Sequence, residues 1–140
     1  MIPATVALLA FATQTSPMQE PPVPYDEARF TPLNPSAPGG PAIAVLRGDP
    51  ATGPSDMLMR FGPGEPAMHV HTADYRLVVL SGQMKHWTPE VREEDAAVLG
   101  PGSYWMQQGG QPHADRCLSE TCVMFISWSG ARDGRLASAQ

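Results

Sequence analysis

The sequence predicts an all-β protein of antiparallel strands, from its composition and from the spacing of its turn residues. Sixteen prolines and 13 glycines accompany only 16% charged residues, a balance that favours short strands joined by tight turns over a helical bundle. From residue 42 onward, short β-rich runs alternate with Gly-Pro-Gly, Ser-Gly and Gly-Gly turns. Seven or more such runs in 140 residues predict one sandwich or barrel domain with a hydrophobic core.

The elements follow one another at regular intervals. Strands are predicted at 42–47, 56–61, 67–71, 75–80, 83–87, 102–107 and 122–128, and a further strand begins at His113, after Pro112. Residues 91–97 form either one helical turn or a solvated loop. Residues 13–41 contain eight prolines and predict an extended or irregular arm, since proline cannot donate to a central strand. The barrel is expected to span 42–130, followed by a polar tail, 131–140, that frays.

The first 12 residues, MIPATVALLAFA, are apolar and end in Ala10-Phe11-Ala12. A small residue at each end of such a triplet is typical of a secretory leader, which predicts a periplasmic or secreted protein. The positively charged start of a leader is missing, because no Lys or Arg precedes Arg29. The alternative is an apolar arm packed against the domain or a neighbouring subunit, with the protein in the cytoplasm.

The charge of the chain excludes some classes of partner. A net charge of -5 and an isoelectric point near 5.2 argue against binding of nucleic acid. No apolar run reaches the length that a membrane-spanning helix needs. The expected partner is a small molecule.

Two cysteines, Cys117 and Cys122, enclose four residues. If Ser119 and Glu120 form a two-residue turn, the cysteines face each other on paired strands, within reach of a disulfide bond. Two reduced, half-buried thiols are the alternative.

Two histidines, His69 and His71, flank Val70 in a predicted strand. Side chains two apart on a strand point to the same face, so the two imidazoles project together. Such a pair alone is a weak indication of a metal site. A second segment, GSYWMQQGGQPHADRC, places His113 after a Gly-Gly turn.

Together the two segments resemble the two motifs of the cupin superfamily, G-(x)5-HxH-(x)3,4-E-(x)6-G and G-(x)5-P-x-G-(x)2-H-(x)3-N. The matching positions are His69, His71 and Gly82 in the first motif and Gly102, Gly110 and His113 in the second, with Gly64 one residue closer to the histidines than the first motif asks. The likeness covers roughly residues 41–130. It implies a small single-domain cupin, an antiparallel double-stranded β-helix (jelly roll) in which the three histidines hold one divalent metal.

The chain departs from the first motif at its glutamate, which falls on Tyr75 or Arg76. Asp74 lies one residue earlier and is a candidate fourth ligand if a bulge reorients it. Its alternative role is to anchor the start of the strand. Tyr75 is expected to line the pocket or to act as a weak ligand.

In the second motif Gln108 replaces the proline and Cys117 the asparagine. Gln108, Trp105 and His86 are predicted to line the pocket. The alternatives are that Gln108 faces solvent and that His86 is exposed or hydrogen-bonded to the backbone.

A three-histidine site without a carboxylate suits Fe(II) in oxygen-dependent cleavage, and equally Zn, Mn or Ni acting as a Lewis acid. The first hypothesis is therefore a metal-dependent, dioxygenase-like oxidoreductase that acts on a small organic molecule. The second is a non-catalytic module that binds a metal or small ligand outside the cytoplasm. The third is a dimerising scaffold with a vestigial site, since cupins often pair through strand edges.

Overall fold

The computed structural model describes residues 21–137, in which nearly all regular structure is β-strand. The strands are β1 (Thr31–Pro32), β2 (Ala42–Gly48), β3 (Ser55–Phe61), β4 (His69–Val70), β5 (Tyr75–Ser81), β6 (Met84–Trp87), β7 (Tyr104–Gln107), β8 (Ala114–Cys117), β9 (Cys122–Trp128) and β10 (Arg135–Leu136). Single 3₁₀ turns occur at Tyr25–Glu27 and Glu93–Asp95. The second is the helical turn predicted within 91–97, in a segment that is otherwise irregular and mostly exposed. The proposed leader lies outside the described residues.

The strands form two antiparallel faces. One face is a six-stranded sheet in the order β1-β2-β3-β9-β5-β7. The other contains the pairs β10-β4 and β6-β8, which are joined by a bridge between His69 and His113 with N–H···O distances of 2.8 and 2.9 Å. The second face therefore runs β10-β4-β8-β6, and the predicted antiparallel jelly roll is confirmed.

The core lies between the two faces and follows the alternation of the strands. Along β5, Tyr75, Leu77 and Val79 are buried and Arg76 is exposed, as expected for a strand with one face inward. The largest fully buried side chains include the methionines at 57, 84 and 124, whose flexible thioethers fill an irregular interior.

The chain ends add strands that the sequence did not predict. In the proline-rich arm, β1 pairs with β2 at the edge of the large sheet, a position that tolerates proline because one side of an edge strand needs no N–H donor. The segment 131–137, expected to fray, instead forms β10, which pairs with β4 through Arg135 with Val70 and Leu136 with His69. The expectation of a frayed tail is wrong for these residues, because backbone pairing with β4 holds them.

A disulfide bond joins Cys117 and Cys122, whose Cα atoms are 5.8 Å apart. The cysteines do not face each other on paired strands. Cys117 ends β8, which pairs with β6, and Cys122 begins β9 in the large sheet. The bond therefore ties the two faces of the barrel together. Within residues 21–137, no helix is long and apolar enough to span a membrane.

Candidate metal centre

Three histidines converge where β4 meets β8. The ring centroids of His69 and His113 are 4.3 Å apart, and His71 lies 4.9 Å from His69 and 5.2 Å from His113. One ring nitrogen of each lies within 4.8 Å of the others. The backbone bridge between His69 and His113 sets two of the rings opposite each other. His71 joins them because the buried Val70 points the other way.

Backbone carbonyls determine which nitrogen of each ring carries the proton. His69 Nδ1 donates to Ala67 O at 2.9 Å, His113 Nδ1 to Gln111 O at 3.1 Å, and His71 Nδ1 to Asp133 O. A carbonyl oxygen can only accept, so each Nδ1 is the protonated nitrogen and each Nε2 carries the lone pair of its ring. Metal-binding histidines are oriented by the same kind of hydrogen bond. The donor set therefore fits a divalent metal.

Burial keeps two of the rings neutral. The desolvation of His113 lowers its pKa to about 4, although the nearby Asp115 opposes the shift. Desolvation also lowers the pKa of His71, and the charge of Arg132 contributes to the lowering. Neutral imidazole is the form that binds a metal, so these two rings are ready to bind at neutral pH without first losing a proton.

The C-terminal segment holds His71 in place. The Asp133 carbonyl accepts a hydrogen bond from His71 Nδ1. The Asp133 carboxylate accepts two more, from Thr72 N at 2.8 Å and from the Thr72 hydroxyl. A Cβ atom on Gly134 would lie 3.3 Å from His71 Cε1, so the backbone runs directly past the ring. No local spacing in the sequence points to Asp133, because more than 60 residues separate it from these partners.

Asp74 does not join the three-histidine cluster. Its carboxylate accepts a hydrogen bond from Gly109 N at 2.7 Å, and its carbonyl accepts one from Ser129 N at 3.0 Å. A Cβ atom at Gly109 would lie 2.2 Å from Thr72 O, so only glycine allows this approach. The expectation of a carboxylate ligand is corrected: Asp74 anchors the start of β5 to the turn that precedes His113.

Tyr75 occupies the position of the missing motif glutamate and lines the cavity beside the cluster. The side chain is buried, and its hydroxyl lies 3.1 Å from His113 Nε2. Burial, reinforced by the charge of Asp115, raises the pKa of Tyr75 well above its ordinary value. Tyr75 is therefore a neutral phenol that donates to His113 Nε2, and this hydrogen bond has to break before that nitrogen can bind a metal.

Three further residues were predicted to line the pocket: His86, Trp105 and Gln108. None of them is in the cavity wall formed by the described residues. His86 donates from Nδ1 to Asp115 at 2.8 Å and stacks on Trp105, with ring centroids 4.9 Å apart. The His86 ring is 5.4 Å from His113, behind the cluster. Gln108 is exposed; its motif position faces solvent because Gln107 is the buried residue of this pair.

Asp115 is a residue that the sequence analysis missed. One carboxylate oxygen binds His86 and the other lies 4.0 Å from His113 Nε2. A signal was available, because residues 113 and 115 share one face of a strand. The carboxylate places a negative charge beside the cluster.

A cavity of about 610 Å³ opens onto the cluster. His69, His71 and Tyr75 line one end of it, and apolar side chains such as Leu77, Met84, Met124 and Ile126 line the interior. The volume suits a small organic molecule, and the few polar groups at one end would orient it.

Comparison with known proteins agrees with this architecture. The chain is similar in fold to the polyketide cyclase RemF from Streptomyces resistomycificus, with a TM-score of 0.66 and 18% identity over 87% of this chain and 88% of that one. KdgF from Halomonas sp. gives a TM-score of 0.62 and 17% identity over 79% and 95% of the two chains. The DMSP lyase DddQ from Ruegeria pomeroyi DSS-3 gives a TM-score of 0.61 and 19% identity over 79% of this chain and 61% of that one. This chain therefore spans less than two thirds of that lyase.

At these identities the likeness concerns the fold alone. No curated protein matches the sequence significantly. The family model described as the ChrR Cupin-like domain matches residues 19–130, which include the three histidines. The chain therefore belongs to the cupin superfamily, in the ChrR cupin-like family.

Proposed function

We propose that the protein is a metal-dependent enzyme that acts on a small organic molecule in the barrel cavity, as a dioxygenase-like oxidoreductase with Fe(II). The observation that carries the proposal is the convergence of one ring nitrogen each from His69, His71 and His113, of which His69 and His71 line the polar end of the cavity. A divalent metal held there supplies Lewis acidity and, as Fe(II), the chemistry of O₂.

The residues of the chain prepare this chemistry in three ways. The carbonyls of Ala67, Gln111 and Asp133 orient the rings before any metal binds. The apolar interior excludes water from a bound substrate. The phenol of Tyr75, where the motif has a carboxylate, leaves the ligand set uncharged and offers a hydrogen-bond donor at its edge.

Metal binding is the first test. We expect purified protein to bind about one equivalent of Fe(II), Zn(II), Mn(II) or Ni(II), measured by elemental analysis after reconstitution. His69→Ala and His113→Ala should lose the metal, since each removes one of three ligands. His69 is only half-buried, so its variant tests the site even if His113→Ala fails to fold. His86→Ala is the matched control and should retain the metal. Unchanged binding by both ligand variants would overturn the three-histidine site.

Oxygen consumption is the second test. Fe(II)-loaded protein should consume O₂ with one member of a panel of small diketones, thiols and phenols, and neither the Zn(II)-loaded protein nor His69→Ala should do so. A silent panel with fully loaded Fe(II) protein would count against the oxidoreductase and favour the second candidate.

The second candidate is a non-catalytic module that binds a metal or small ligand outside the cytoplasm. The disulfide bond between Cys117 and Cys122 supports it, because structural disulfides are typical of exported proteins. Fractionation of cells that express the full-length protein tests the location. Recovery of the protein from the cytoplasm with both thiols reduced would contradict it.

A further inference from the structure

Arg132 is an arginine in the cavity wall, next to the metal-facing histidines. Its backbone is fixed on both sides: Arg132 N donates to Pro50 O at 2.7 Å, and Asp133 is bound to Thr72. Arg132 and His71 line the same cavity, and the carbonyl of the next residue, Asp133, accepts a hydrogen bond from His71 Nδ1. The guanidinium therefore lies within electrostatic reach of the candidate metal centre.

The guanidinium of Arg132 has no ion pair or side-chain hydrogen bond among residues 21–137, although it is partly buried. By contrast, Arg47, Arg92 and Arg116 are each paired with a carboxylate. Desolvation lowers the pKa of Arg132, and the charge of the adjacent Asp133 offsets only part of this cost. An anion that enters the cavity would supply the missing partner.

The two carboxylates in the cavity wall already have other neighbours. Asp115 binds His86. The pKa of Arg116 is raised mainly by its hydrogen bond to Glu93, and the charge of Glu65 adds to this effect. The rest of the interior is largely apolar.

Three arginines line the described part of the wall. Arg116 is paired with Glu93 and Arg135 is exposed, so Arg132 is the one best placed to hold a negative charge inside the cavity.

We propose that Arg132 binds a carboxylate group of the substrate, which makes the substrate a small organic acid with an apolar body. A single planar guanidinium matches a carboxylate with two parallel hydrogen bonds. The apolar body then lies along Leu77, Met124 and Ile126, and the reacting part faces the histidines. This inference rests on the proposed function for the reaction, but the binding step itself requires no metal.

The experiment compares benzoate and hexanoate with their neutral amides, benzamide and hexanamide, by calorimetric titration of the full chain without metal. Metal-free protein is used so that a carboxylate cannot bind the metal directly. We expect the acids to bind wild type roughly 10- to 100-fold more tightly than the amides. Arg132→Gln should abolish the preference, and Arg132→Lys should weaken it about 10-fold by removing the two-bond geometry.

The matched control is Arg76→Gln, which removes an exposed arginine that lies outside the cavity wall and should keep the preference. Metal content and thermal unfolding of each variant verify the fold, and Arg132→Lys answers the question if Arg132→Gln is unstable. Equal binding of acids and amides by wild type, or an unchanged preference in both Arg132 variants, overturns the inference. Carboxylate binding that depends on Arg132 in a protein that takes up no metal would refute the proposed function alone.

Discussion

At the residue scale, His113 connects the candidate site to folding stability. The side chain is fully buried, and burial lowers its pKa to about 4, against about 6.5 in an unfolded chain. Between these values the unfolded state binds the proton and the folded state does not. The stability that His113 contributes is therefore complete above about pH 6.5 and is lost as the pH falls toward about 4.

We predict that the metal-free protein loses about 3 kcal/mol of unfolding free energy across this window from His113. Urea unfolding of the metal-free protein at several pH values measures the loss. His113→Gln, which cannot titrate, should have a shallower dependence on pH. Parallel curves for the two proteins would contradict the assignment.

At the element scale, β10 and the residues before it complete the site that β4 and β8 begin. The Asp133 carboxylate holds Thr72, the neighbour of His71, and its carbonyl orients the ring. We predict that Asp133→Ala weakens metal binding about 10-fold, because the carbonyl loses the side-chain anchor that positions it. Competition with a chelator of known affinity measures the change.

The control for Asp133→Ala is Asp95→Ala, which removes an exposed ion pair with Arg92 far along the chain. It should leave metal affinity unchanged. Equal affinity of Asp133→Ala and wild type would show that β4 and β8 hold the histidines without help from the C-terminal segment.

At the scale of the whole molecule, the disulfide bond joins the two faces of the barrel. It closes a loop with a sequence separation of 5, for which loop-closure entropy amounts to about 2 kcal/mol. We predict that replacing Cys117 and Cys122 together by Ala lowers the unfolding free energy by about this amount. Reducing agent should destabilise wild type to a similar extent and leave the double variant unaffected; an equal effect on both would contradict the prediction.

The formation of a homodimer stays a prediction. Cupins often pair through strand edges, and β7 is one edge of the large sheet, with Tyr104 and Met106 exposed. A homodimer predicted on this basis would be detected by light scattering of the purified protein.

The sequence by itself determined the fold class and the core of the site. Turn residues and strand alternation are local properties, so they predicted the β-strands from β2 to β9. The spacing of His69, His71 and His113 matched a known pattern. The alternation of side chains along a strand also explains why Asp115 lies on the same face as His113.

Only the tertiary structure decided which partners these residues have. Asp74 binds Gly109 N and is not in the three-histidine cluster. Asp133, far along the chain, binds His71 through its carbonyl. Arg132 lies in the cavity wall without an ion pair among the described residues. Each of these contacts joins segments dozens of residues apart. They arise from the closure of two sheets on each other, which no periodicity within a single strand encodes.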